Sequence, residues 1–181
     1  GQVVAGEYAQ PTSPVSLGLT RITPQNAAKS GIGSLVIGVA PTGGQLPSYW
    51  VADLIEVLTQ GVDVVSGLHT RLESIPELFA ASQQNGAGRL INIRVPTEEY
   101  GCATGIKRRG KRILTVGTDC AIGKKYTALA LTQALKARAV AATFRATGQT
   151  GIMISGSGIP MDAVKSDFIA GAAEALSPDN D

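Results

Sequence analysis

The run Val116-Gly117-Thr118-Asp119-Cys120-Ala121-Ile122-Gly123-Lys124-Lys125 joins an apolar segment, Arg112 to Val116, to a helical pattern through a glycine-bearing turn that ends in Gly-Lys. A strand that runs straight into a helix is the building step of a parallel α/β sheet. The turn between them aims backbone N–H groups at an anion, the helix N-terminus adds partial positive charge, and the lysine adds a full one. The expected role is phosphate binding, with Gly117, Thr118, Asp119, Cys120, Ala121, Ile122, Gly123, Lys124, Lys125 and Tyr126 as the cofactor-binding residues. The bland alternative is a tight turn whose glycines serve packing alone. The spacing is unusual: residues 118–122 separate the two glycines, one more than the common pattern, and Lys125 stands where Ser or Thr normally offers Mg²⁺ a hydroxyl. Either Thr127 or Asp119 holds the metal, or the phosphate belongs to a carrier such as coenzyme A that needs none.

The rest of the chain repeats the alternation. Ser34 to Ala40 is a continuous apolar run of the kind that forms a parallel strand buried on both faces. Ser48 to Gln60 places Val51, Leu54, Ile55 and Leu58 at helical spacing before Gly61. Val62 to Ser66 is expected as a strand, Ile75 to Asn85 as a helix, and Arg89 to Val95 as a strand. Thr23 to Lys29 has the pattern of a short capped helix stopping at Gly31. After the loop come a helix from about Lys124 to Arg138, a strand from Val140 to Phe144, and a last helix from Met161 to Leu176. The expected fold is therefore α/β, with parallel sheets in two successive domains, 1–100 and 112–181, joined by a polar, basic linker at 101–111. A nucleotide-binding sheet takes roughly four or more strands, and only two are visible after the linker. The second domain is expected to be incomplete: either the chain is a fragment or the missing strands come from elsewhere.

Sixteen Lys+Arg against 14 Asp+Glu leave a formal charge of +2, which demands neither nucleic acid nor an anionic membrane. Cys102 and Cys120 fit neither a disulfide framework nor a metal cluster, so no metal site and a reducing cytoplasm are expected. No apolar run reaches the roughly 20 residues that span a bilayer. The basic run Lys107-Arg108-Arg109 with Lys111 and Arg112 has no interleaved aromatics, which favours a solvated linker or an aid to anion capture over nucleic-acid binding.

Candidate chemistry gathers after predicted strands, where parallel sheets place ligands. His69 follows the second strand and is a candidate general base, against the alternative of a structural imidazole. Gly43 and Gly44, after the first strand, can cradle a carboxylate or phosphate, a weak signal. Arg145, Thr147, Gln149 and Thr150 form a dense polar set suited to a substrate carboxylate. Asp162 and Asp167 are candidate acids, although solvated helix surface is their more common fate. Cys120 at a helix N-terminus has the setting of a nucleophilic thiolate, but a small buried filler is the commoner role.

The segment Gly117-Thr-Asp-x-x-Ile122-Gly-Lys124 is similar to the loop of dethiobiotin synthetase, which has Thr where Lys125 stands. The fuller likeness lies elsewhere. Val116 to Leu131, Arg145 to Gly151, Gly158 to Val164 and Asp167 to Glu174, with Val36 to Ala40 and Ser66 to Leu72, resemble a bacterial family long described only as a domain of unknown function. The resemblance runs from about Leu17 onward. It implies a Rossmann-like N-terminal domain, a P-loop C-terminal domain, and D-glutamate N-acetyltransferase activity with acetyl-CoA as co-substrate. On that reading the loop anchors coenzyme A, the partners are a small amino acid and copies of the same chain, and membranes and nucleic acid play no part. The competing expectations are an ATP- and Mg²⁺-dependent kinase or ligase acting on a carboxylate, and a non-catalytic nucleotide-binding module.

Overall fold

The structure is a computed structural model that describes residues 4–10 and 13–179. Backbone contacts divide it into two compact units, Gly1–Asn92 and Ile93–Asp181.

In the first unit, β1 (Ser34–Val36), β2 (Asp63–Ser66) and β3 (Leu90–Asn92) lie side by side in that order, all parallel. The helices α1 (Val51–Thr59) and α2 (Pro76–Ser82) make the crossovers. Leu54, Val57 and Leu58 recur at the helical period on α1 and are buried. They meet Val62 and Val64 of the β2 segment, Leu72 before α2, and Leu78 and Ala81 on α2. Fully burying a Leu or Val side chain is worth about 1.5–3 kcal/mol, so this cluster is the main source of the unit's cohesion. Gly88 lies so close to the Val62 carbonyl that a Cβ there would collide with it, which lets the chain enter β3 tightly against β2.

Several expected elements differ. The apolar run at 34–40 pairs over Ser34–Val36 only, and Val36 and Val39 are exposed rather than buried on both faces, because no layer covers them among the described residues. β3 ends at Asn92 and the chain turns there, short of Val95. The expected helix at 23–29 is a pair of 3-10 turns, Pro24–Asn26 and Ala28–Ser30.

The second unit holds α3 (Lys124–Ala137), α4 (Gln149–Ser155) and α5 (Ile169–Leu176). Neither strand expected here forms a ladder among the described residues. Ile113, Leu114 and Val116 are 70%, 79% and 78% exposed, apolar side chains with no partner strand or helix covering them. At the second position a single parallel bridge joins Ala146 to Gly158. The polar set at 145–151 runs into α4, and the expected helix at 161–176 is broken. Val164 is extended, so Met161–Ala163 and Ser166–Phe168 form separate 3-10 turns before α5 begins.

The basic run is largely exposed, but two of its cations bind backbone carbonyls. Arg108 Nη1 donates to the carbonyls of Glu174 and Ser177 at 2.7 and 2.8 Å, and Arg112 Nη2 donates to Pro178 O at 2.6 Å. Cations placed on the open carbonyls of a helix C-terminus satisfy both hydrogen bonding and the helix dipole. The Glu174 carboxylate in turn accepts the backbone N–H groups of Thr104 and Gly105 at 2.8 and 2.9 Å, which holds its carboxyl below the usual carboxylate range.

Candidate functional site

In the second unit the loop between Val116 and α3 has the geometry of an anion cradle. Ala121 (φ 55°) and Gly123 (φ 97°) both take left-handed backbone, folding the loop back on itself. The Ile122 side chain folds over Gly117, its tip lying where a Cβ would stand. Gly123 caps α3 without a side chain, leaving the first-turn N–H groups unclaimed by any capping oxygen. Lys124 Nζ reaches back over the loop to the Asp119 carbonyl. The Asp119 carboxylate accepts from Cys120 N at 2.6 Å, and Thr115 Oγ1 donates to Lys124 O at 3.0 Å. Thr127 donates its hydroxyl to Gly123 O at 3.2 Å. Lys125 Nζ lies 4.2 Å from the centre of the Tyr126 ring, a cation–π contact. Cys120 is exposed, which excludes the buried-filler reading.

A cleft of about 200 Å³ in the same unit is lined by Arg145 together with Thr97, Glu98, Tyr100, Ser157, Ile159 and Leu176. The parallel bridge at Ala146–Gly158 and the bond from Ile159 N to Ala146 O at 3.0 Å bring the Arg145 segment beside Ser157. Burial, and then the neighbouring Glu98 charge, push the Tyr100 phenol up, so it keeps its proton and stays a donor. Glu98 and Tyr100 fall at the end of the stretch assigned from sequence to the first domain, 1–100, whereas the structure places them in the second unit. Tyr100, an isolated aromatic after two glutamates in a glycine-bearing segment, was the signal available there.

Asp162 lies 3.0 Å from Arg94 Nε, although the buried N–H is not directed at it, so the contact is an ion pair and not a hydrogen bond. Asp167 is exposed on its 3-10 turn, and Thr147 and Thr150 are exposed while Gln149 opens α4.

In the first unit the structure brings His69 onto Gly44. His69 N donates to Gly44 O at 2.9 Å, and a Cβ on Gly44 would strike the imidazole, which leaves the ring seated on the glycine face. Gly43 and Gly44 have φ of 74° and 64°. Thr70 Oγ1 accepts from Leu46 N at 3.0 Å and donates to Gln45 at 2.8 Å. The turns after β1 and β2 are thus tied together at the carboxyl edge of the sheet, with the imidazole exposed.

Residues 3–96 match the family described as "Domain of unknown function (DUF1611_N) Rossmann-like domain", and residues 101–181 match "Domain of unknown function (DUF1611_C) P-loop domain". The chain belongs to the DUF1611 family. Its parallel first unit and glycine loop accord with those two descriptions. It is 49% identical over 97% of its length to a protein of Tritonibacter scottomollicae named D-glutamate N-acetyltransferase, and 45% identical over 98% to one of a Pseudoalteromonas species with the same name. A crystal structure of a DUF1611 family protein from Anabaena variabilis superposes with a TM-score of 0.76 at 39% identity, covering 87% of this chain and 46% of that one. The chain spans about half the length of the curated relatives it matches, 53% of each. Among the described residues no helix is long and apolar enough to cross a membrane.

Proposed function

We propose that this DUF1611 chain belongs to an N-acetyltransferase that moves acetyl from acetyl-CoA to the amine of D-glutamate. The observation that carries the reading is the 49% identity, across 97% of the chain, to a protein named for that activity. The loop supports it. Its open N–H groups, the side-chain-free Gly117 and Lys124 suit a diphosphate, and a coenzyme A diphosphate requires no metal-binding hydroxyl at position 125.

In such a reaction the amine nitrogen attacks the thioester carbonyl, the C–S bond breaks, the nitrogen gives its proton to a base, and the thiolate takes up a proton. Backbone N–H groups stabilise the developing oxyanion. Arg145, Thr147, Gln149 and Thr150 supply the carboxylate contacts. Of the candidate bases, His69 is exposed at its sheet edge and Asp167 is exposed on its turn, whereas the Asp162 carboxylate is committed to Arg94.

Calorimetric titration of the chain with coenzyme A, and separately with ATP plus Mg²⁺, tests the reading. Coenzyme A binds, and Lys124→Ala weakens it by about tenfold or more, the loss expected for one hydrogen bond to a charged group. Tight ATP binding with no coenzyme A binding contradicts the proposal and favours a carboxylate kinase or ligase.

A further inference from the structure

The cleft beside Arg145 presents two opposite charges to one small volume. Arg145 and Glu98 both line it, and neither belongs to an ion pair among the described residues. Tyr100 and Ser157 add hydroxyl donors, and Ile159 and Leu176 give it an apolar side. Its volume of about 200 Å³ suits a ligand of amino-acid size. A guanidinium pairs with a carboxylate in bidentate fashion, and a carboxylate pairs with an ammonium.

We propose that this cleft recognises a free α-amino acid, with Arg145 on a carboxylate and Glu98 on the ammonium. The assignment deepens the acyl-transfer reading and rests on it for the identity of the amino acid. It has a consequence for turnover. Acetylation replaces the ammonium with a neutral amide, so the partner of Glu98 vanishes on reaction and the product is held less tightly than the substrate.

The test is calorimetric titration of the chain with D-glutamate, with glutarate, which keeps both carboxylates but lacks the amine, and with N-acetyl-D-glutamate. The native chain is expected to bind D-glutamate at least tenfold more tightly than the other two. Glu98→Gln is expected to remove that preference while leaving glutarate unchanged, and Arg145→Ala to weaken both. Glu99→Gln, exposed and outside the cleft lining, is the control and leaves all affinities as they were. Circular dichroism checks that each variant folds. Equal D-glutamate affinity in the native and Glu98→Gln chains overturns the cleft assignment and leaves the acyl-transfer reading standing. Binding of a different α-amino acid that depends on Glu98, with none of D-glutamate, supports the cleft and removes the proposed substrate. Failure of every α-amino acid tried to bind the native chain retires the cleft assignment.

Discussion

At the scale of single residues, the loop depends on Gly123, whose φ of 97° is a backbone conformation that residues with side chains rarely adopt. Gly123→Ala is expected to strain the cradle and lower coenzyme A affinity by about tenfold or more while the chain stays folded, a result that calorimetry paired with circular dichroism checks. This part of the site was legible in sequence because glycine spacing and a trailing lysine encode backbone shape directly. Glu98 was not legible, since it reaches the cleft through the fold of its unit and no local pattern marks it. Another residue-scale prediction concerns Tyr8, whose hydroxyl donates to Asp53 at 2.6 Å. Burial first, then that hydrogen bond and the Asp53 charge, push its phenol from 10 up to about 12. Because the folded value lies above the unfolded one, the contribution is fully present below about pH 10 and is lost as pH rises through 12. The melting temperatures of the native chain and of Tyr8→Phe should therefore differ at pH 8 and converge toward pH 12. A difference that stays constant across that range would contradict the assignment.

Among elements, α1 and α2 were readable because their apolar residues recur at the helical period and fall on the core of the first unit. The apolar runs at 112–116 and 140–144 carry the composition of strands, yet a strand exists only by pairing, and pairing is a non-local event that a sequence window does not contain. Val164 shows the converse, an extended residue that splits a helical pattern which periodicity alone would continue. The basic run illustrates how position overrides composition: Arg108 reads as surface charge but closes the C-terminus of α5. Arg108→Ala is expected to cost on the order of 1.5–3 kcal/mol, the range for hydrogen bonds to a charged group, measured by denaturant unfolding. Lys107→Ala, exposed on the same run, should cost less than about 0.5 kcal/mol. Equal losses from the two would mean that the helix cap contributes nothing specific.

For the whole molecule, two compact units each carry a distinct constellation, the imidazole on Gly44 in the first and the glycine loop and charged cleft in the second. The chain belongs to the DUF1611 family and is 49% and 45% identical to two proteins named D-glutamate N-acetyltransferase, the basis of the acyl-transfer proposal. Substrate, co-substrate and chemistry meet in one assay. The chain is incubated with acetyl-CoA, with and without D-glutamate, and free thiol and N-acetyl-D-glutamate are both quantified. The account predicts that thiol appears only when D-glutamate is present, in equal amount to the acetylated product. Thiol release that ignores D-glutamate, or no acetyl transfer by a chain that binds both compounds, would contradict it.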